Sequence, residues 1–74
     1  MSRVCVIGGA GFLGSHVADK LSESGHHVVV IDKKQSTWLK SNQEMILADL
    51  LDPDSMYEAV KGADIVYNFA GLAD

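Results

Sequence analysis

"VCVIGGAGFLGSH", residues 4–16, decides how the rest of the chain is read. Val4 to Ile7 form an unbroken apolar run bounded by glycine. Such a run predicts a strand buried on both faces, as in a parallel sheet. Glycines then stand at positions 8, 9, 11 and 14. Glycine loses more conformational freedom on folding than any other residue, so four in one turn call for a geometric reason. They satisfy two spacings at once: G-x-G-x-x-G through Gly9, Gly11 and Gly14, and G-x-x-G-x-x-G through Gly8, Gly11 and Gly14. From Phe12 the apolar period changes. Leu13, Val17 and Leu21 recur every four residues, and Phe12 and Ala18 widen the stripe into one helical face running to about Ser24. Gly25 suits a left-handed residue closing that helix.

The same alternation continues to the end of the chain. His27 to Ile31 reads as a second strand, apolar from Val28 onward, and residues 32–36 as a polar loop. Ser36 to Asn42 is a candidate short helix, with Trp38 and Leu39 covering the sheet or, for Trp38, bordering a ligand near Asp32. Glu44 to Ala48 reads as a third strand. Asp52-Pro53-Asp54 is a helix start, with Asp52 as N-cap, Pro53 in the first turn and an acid beside it. That helix runs to Lys61 and Gly62 closes it. Ile65 to Phe69 is a fourth strand. Strands alternating with helices require a parallel sheet, because parallel neighbours need a crossover. The expected fold is therefore α/β: a Rossmann-type doubly wound sheet of four strands in the order 3-2-1-4, with right-handed crossovers and helices on both faces. The whole chain, 1–74, is one domain. In that order a crevice opens between strands 1 and 4, where their loops diverge.

A turn of this kind suits a diphosphate. Glycine permits the sharp strand-to-helix reversal and leaves no Cβ in the way of a phosphate. The helix N-terminus then offers unpaired N–H groups and the positive end of its dipole. The amides of Phe12 and Leu13 are the expected donors, and Gly14 lets the helix lie close to the sheet. Asp32, 18 residues past Gly14 at the end of the second strand, supplies a carboxylate for ribose hydroxyls. Such an acid favours NAD over NADP. Lys33 and Lys34 work against that preference, since a cation attracts a 2′-phosphate.

Composition narrows the alternatives. Apolar residues make up 47% and charged residues 22%, an ordinary globular balance. A formal charge of −4 is the wrong sign for a nucleic-acid surface. No stretch approaches the roughly 18–20 apolar residues that span a bilayer, and the apolar run after Met1-Ser2-Arg3 is too short for a secretory leader. The lone Cys5, mid-strand, reads as a buried thiol in a reducing, cytoplasmic setting. His16, His26 and His27 make no metal-ligand spacing with Cys5 or with any acid cluster, and read as surface or cap residues.

With these residues in place, the chain resembles the N-terminal part of the extended short-chain dehydrogenase/reductase family: the NAD-dependent epimerases and dehydratases, typified by UDP-glucose 4-epimerase. "VIGGAGFLGSH" resembles that family's opening turn, "GHHVVVID" its second strand, "LADLLDPDSM" its adenine-holding stretch, and "VYNFAGLAD" its fourth strand and exit. The resemblance implies that Gly8, Gly11, Phe12, Leu13 and Gly14 hold the pyrophosphate and that Asp32 holds the ribose. It implies that Asp49 accepts from the adenine amino group, that Leu50 lines the adenine pocket, and that Phe69, Ala70 and Gly71 pass beneath the centre of the dinucleotide. Asp49 also reads as a plain loop acid, and Asn68 as a residue satisfying local backbone. Ala73 departs from the lysine found there in some sugar epimerases.

The family's catalysis rests on a Tyr-x-x-x-Lys pair in which the lysine lowers the tyrosine pKa. Tyr57-Glu58-Ala59-Val60-Lys61 has that pattern but lies on the crossover helix before strand 4, where packing is the expected role. The resemblance places the true pair, and the sugar-nucleotide-binding part, beyond Asp74. It also leaves strand 4 as an exposed apolar edge, a site for self-association. Three readings follow: an NAD-binding part of a sugar-nucleotide epimerase, dehydratase or reductase; a non-catalytic dinucleotide sensor; or a structural piece with no cofactor affinity.

Overall fold

A computed structural model of the chain describes residues 2–8, 10–34, 39–40 and 42–70. The order of elements is β1 (Arg3–Ile7), α1 (Phe12–Glu23), β2 (His27–Asp32), β3 (Gln43–Leu47), α2 (Pro53–Val60) and β4 (Ile65–Asn68). The four strands form one sheet in the order β3-β2-β1-β4, with every neighbouring pair parallel. The doubly wound arrangement expected from the alternation is the one observed. Of the candidate helix at 36–42, residues 35–38 and 41 lie outside the described residues, Trp38 among them. Leu39 and Lys40 are not helical, and Asn42 is in a turn.

Strand register divides the core into two layers. Val4 and Val6 of β1 and Val28 and Val30 of β2 face α1, where they pack with Ala18, Leu21, Leu39 and Met45. Cys5, Ile7, Val29 and Ile31 face the other way and pack with Ala59, Met56 and Val60 of α2. Successive side chains on a strand point to opposite faces, so a continuous apolar run serves both layers. The largest fully buried side chains all stand on β1 and β2. Each contributes about 1.5–3 kcal/mol if aliphatic and fully removed from water.

The buried face of α1 differs from the expected stripe. Phe12 is 70% exposed and Leu13 48%, whereas Gly14, Ser15, Ala18 and Ser22 are buried. The small residues set the contact because they bring the helix backbone close to the sheet, and that rotation turns Phe12 and Leu13 outward. Gln43 at the start of β3 ties the same helix down. Its amide donates to Ser22 Oγ at 3.0 Å and Asp19 Oδ1 at 3.1 Å, and its oxygen accepts from the Lys40 amide.

Both helix ends follow the residues that signalled them. Gly25, at φ +91°, closes α1 with paired bonds from Gly25 N to Ser22 O and from His26 N to Leu21 O. Asp52 caps α2 by accepting from the Asp54 amide, with Pro53 in the first turn. The helix stops at Val60, one residue short of expectation, because Lys61 already has extended backbone and Gly62 turns at φ +84°.

β4 is bonded to β1 alone among the described residues, and all four of its residues are exposed, as expected of an edge. No helix of the described residues is long and apolar enough to cross a membrane.

Candidate functional site

The carboxyl ends of the strands carry the site, and backbone bonds lock those ends together. The Gly8 amide donates to Ile31 O at 2.7 Å, the Phe69 amide to Ile7 O at 2.7 Å, and the Ala48 amide to Asp32 O at 2.9 Å. The glycine turn is thereby held between the exits of β2 and β4, at the point where the strand order reverses.

Two of its glycines are required for different reasons. Gly8 sits at φ +79°, and a Cβ there would meet Ala70 N at 2.9 Å and Phe69 C at 3.0 Å. The fold itself demands glycine at that position, because the β4 exit crosses directly over it. Gly11 is the N-cap of α1, with φ −77° and ψ 173°, a conformation open to any residue. A Cβ there would have Gly8 O at 3.5 Å as its nearest neighbour, an ordinary contact. Nothing among the described residues excludes a side chain from Gly11. Among the described residues no side chain caps α1 either. The first-turn amides of a helix have no intrahelical partner, so this end presents open donors.

In front of the turn lies a cleft of about 560 Å3, lined by Gly8, Gly11, Asp32, Lys33, Lys34, Asp49, Leu50, Leu51, Phe69 and Ala70. That volume is within the roughly 300–1,000 Å3 of small-molecule sites. The cleft brings together nine of the residues singled out from sequence: Gly8, Gly11, Asp32, Lys33, Lys34, Asp49, Leu50, Phe69 and Ala70. Gly14 is buried behind the turn on α1. The Phe12 and Leu13 side chains point outward, and the Phe12 ring meets His16 edge-on at 4.6 Å. Any role of theirs at the cleft therefore falls to their backbone amides. Gly71 lies outside the described residues. Asp32, Asp49 and the β4 exit converge although 17 to 37 positions separate them in sequence.

The Asp32 carboxylate is buried and doubly engaged. Its Oδ2 accepts from the Ala10 amide at 3.1 Å and its Oδ1 from the Lys33 amide at 2.7 Å. It pins the glycine turn to the end of β2, and each oxygen retains a further lone pair for a ligand. Ala10 was not singled out in sequence, because a backbone donor leaves no side-chain signal. Leu51 completes the lining, as the direct neighbour of Leu50. Asp49 combines its two readings: its Oδ1 accepts from Leu51 N at 3.0 Å within its own loop, and its exposed side chain borders the cleft. Asn68 satisfies local backbone, its Oδ1 accepting from Ala70 N at 2.9 Å.

Residues 4–74 match the sequence profile of the NAD-dependent epimerase/dehydratase family. The chain belongs to that family. It is 38% identical over 79 aligned positions to a UDP-N-acetyl-alpha-D-glucosaminuronate decarboxylase of Bacillus cytotoxicus, covering 97% of this chain and 25% of that protein. A sterol-4-alpha-carboxylate 3-dehydrogenase of Bos taurus is 37% identical over 68 positions, covering 92% and 19%. Among solved structures, the UDP-glucose 4-epimerase of Thermotoga maritima superposes with a TM-score of 0.81 at 33% identity, covering 96% of this chain and 25% of that one. The chain thus spans about a quarter or less of the length of these relatives. Membership in the family brings a nicotinamide cofactor, and the cleft has the features to receive one: a glycine with room for a Cβ, an uncapped helix and a doubly oriented carboxylate.

The Tyr-x-x-x-Lys pattern lies elsewhere. Tyr57, 65% exposed, borders an adjoining groove between α2 and β4 with Met56, Val60 and Val66, which meets the cleft at Leu50 and Ala70. Its expected half-buried packing gives way to exposure, because β4 is an edge and nothing among the described residues stands over α2 there. Lys61 is outside α2 and is not among the cleft residues. Among the described residues no three His, Cys, Asp or Glu side chains converge as a metal site.

Proposed function

We propose that this chain binds the adenosine diphosphate half of a nicotinamide dinucleotide. The observation that carries the proposal is Gly11. The described residues leave room for a side chain at that position, yet the residue is glycine and it lines the cleft beneath a helix with no side-chain cap among them. The requirement is therefore external, and a diphosphate approaching the backbone supplies it. In this reading Gly8, Gly11 and the amides of Phe12 and Leu13 hold the pyrophosphate, and Gly14 lets α1 pack closely behind it. Asp32 accepts from the ribose hydroxyls, which favours binding of NAD. Asp49 accepts from the adenine amino group, Leu50 lines the adenine, and Phe69, Ala70 and Gly71 pass beneath the centre of the molecule.

The longer protein to which such a unit belongs acts on a sugar nucleotide or a comparable alcohol or acid, as an epimerase, dehydratase, decarboxylase or reductase. The nicotinamide supplies hydride transfer when bound. Among the described residues no Tyr-x-x-x-Lys pair lines this cleft, and the role assigned to these residues in this reading is to hold the cofactor. The free, buried Cys5 fits a reducing, cytoplasmic setting.

Calorimetric titration with NAD and with ADP tests the reading. Saturable binding of both, lost in Gly11→Val while the variant stays folded, is the expected result. A folded chain that binds neither ligand would reduce it to a structural unit.

A further inference from the structure

We propose that Ser15 is a positioning residue for the pyrophosphate. From behind the glycine turn it fixes the two peptides whose N–H groups, those of Phe12 and Leu13, are the donors in the dinucleotide reading above, on which this inference rests. Ser15 stands at the end of the first turn of α1 and is buried. Its amide donates to Gly11 O at 2.9 Å and its hydroxyl to Phe12 O at 2.8 Å. Gly11 O belongs to the same peptide as the Phe12 N–H, and Phe12 O to the same peptide as the Leu13 N–H. A trans peptide is planar, with its C=O and N–H pointing opposite ways. Holding both carbonyls toward the body of the helix therefore aims both N–H groups out of its N-terminal end, where Gly11 lines the cleft. A hydrogen bond on the carbonyl also polarises the peptide, which strengthens its N–H as a donor by about 10–30%.

Packing does not account for this hydroxyl. The buried face of α1 calls for small residues, and Gly14 and Ala18 meet that need without one. Alanine at position 15 would fill the same contact and is the better helix former, because a serine hydroxyl competes for backbone bonds. The Ser22 hydroxyl, on the same face, serves the fold by accepting from the Gln43 amide at 3.0 Å. The Ser15 hydroxyl bonds only within its own turn among the described residues. Capping explains why the support comes from this side. An N-cap side chain accepts from the amide of the second or third helical residue, and the second residue of α1 is Leu13. Such a cap would take up a donor that the ligand needs. Gly11 leaves those amides open, and Ser15 secures the same turn through its carbonyls instead.

The test is calorimetric titration of the 74-residue chain with ADP and with inorganic pyrophosphate, alongside NMR of the backbone amides and carbonyls. In Ser15→Ala both ligands weaken by about three- to tenfold, the worth of one hydrogen bond, and the Phe12 carbonyl-carbon resonance of the free chain moves upfield. Ser22→Ala removes a hydroxyl from the same helix face, two turns away, and leaves both affinities within about twofold of the parent. In the parent chain, pyrophosphate shifts the Phe12 and Leu13 amide resonances and the Phe12 carbonyl resonance together. That readout needs no variant, so it decides the proposal if Ser15→Ala does not fold. A folded Ser15→Ala that binds both ligands within about twofold of the parent overturns the proposal and leaves the dinucleotide reading standing. So does pyrophosphate binding that leaves the Phe12 carbonyl unmoved. An equal loss of affinity in Ser22→Ala makes Ser15 a structural hydroxyl and overturns the proposal as well. A folded parent chain that binds neither ligand overturns both readings.

Discussion

Adding one methyl group separates the two glycines of the turn. Gly8→Ala must adopt φ +79°, a left-handed conformation that costs an L-residue about 1–2 kcal/mol. Its Cβ would also press on the backbone of Phe69 and Ala70 at 2.9–3.0 Å. Overpacking against atoms that cannot rotate away costs about 1–3 kcal/mol. The total, about 2–5 kcal/mol, is a large part of the about 4–11 kcal/mol that holds a domain of this size. At about 4–8 °C per kcal/mol, the melting temperature falls by about 10 °C or more. Gly11→Ala meets no such obstacle, because its Cβ has only Gly8 O at 3.5 Å and its backbone is extended. A gain of about 0.4–1 kcal/mol from a stiffer unfolded chain roughly offsets alanine's poorer N-capping, so stability stays within about 1 kcal/mol of the parent. Its NAD affinity falls at least about tenfold, because the methyl group occupies space in the cradle. Thermal melts followed by circular dichroism, paired with NAD titration of each variant, make the comparison. A folded Gly11→Ala with NAD affinity within about threefold of the parent would refute the assignment of this glycine to a ligand. A Gly11→Ala that melts as early as Gly8→Ala would refute the separation of roles.

Asp32→Ala strands the buried Ala10 amide and lowers stability by about 1–3 kcal/mol in urea titration, with Asp32→Asn costing less because it keeps one acceptor. Burial pushes the Cys5 thiol above its ordinary 9.0, with Arg3 opposing and Glu44 adding to the rise. The folded chain then holds its proton more tightly than the unfolded one. Stability is fully present below pH 9.0 and declines above it, and Cys5→Ala removes that part of the decline in urea midpoints measured across the range. Tyr57→Phe leaves NAD affinity unchanged in calorimetry, since Tyr57 lines the adjoining groove and not the cleft; a loss would return the Tyr-x-x-x-Lys pattern to the site. The open β4 edge, with Ile65, Val66 and Tyr67 exposed, drives concentration-dependent self-association in sedimentation, which Val66→Lys reduces; a monomer at all concentrations contradicts this.

Elements and topology were legible in the sequence because local forces set them. Val4–Ile7 and Val28–Ile31 are apolar on both faces, and only the middle of a parallel sheet accepts that. Gly25, Asp52 and Gly62 mark helix ends through backbone conformations and capping bonds that their own residue types supply. The glycine spacing and the acid at the end of β2 pointed to residues that share one cleft.

What required the tertiary structure was whatever depends on atoms distant in the chain. The sequence presents Gly8 and Gly11 as equivalent. Only the crossing of Phe69 and Ala70 over Gly8, and the lack of a close described neighbour at Gly11, separate a glycine that the fold requires from one that it does not. The sequence offers Asp32 as a ribose acceptor, but its bond to Ala10 comes from the folding of β1 against β2. The apolar period of α1 centres on Leu13 and Val17, whereas close packing turned the helix onto Gly14, Ala18 and Ser22. Periodicity records which residues are apolar; the contact surface is decided by which are small enough to let two backbones approach.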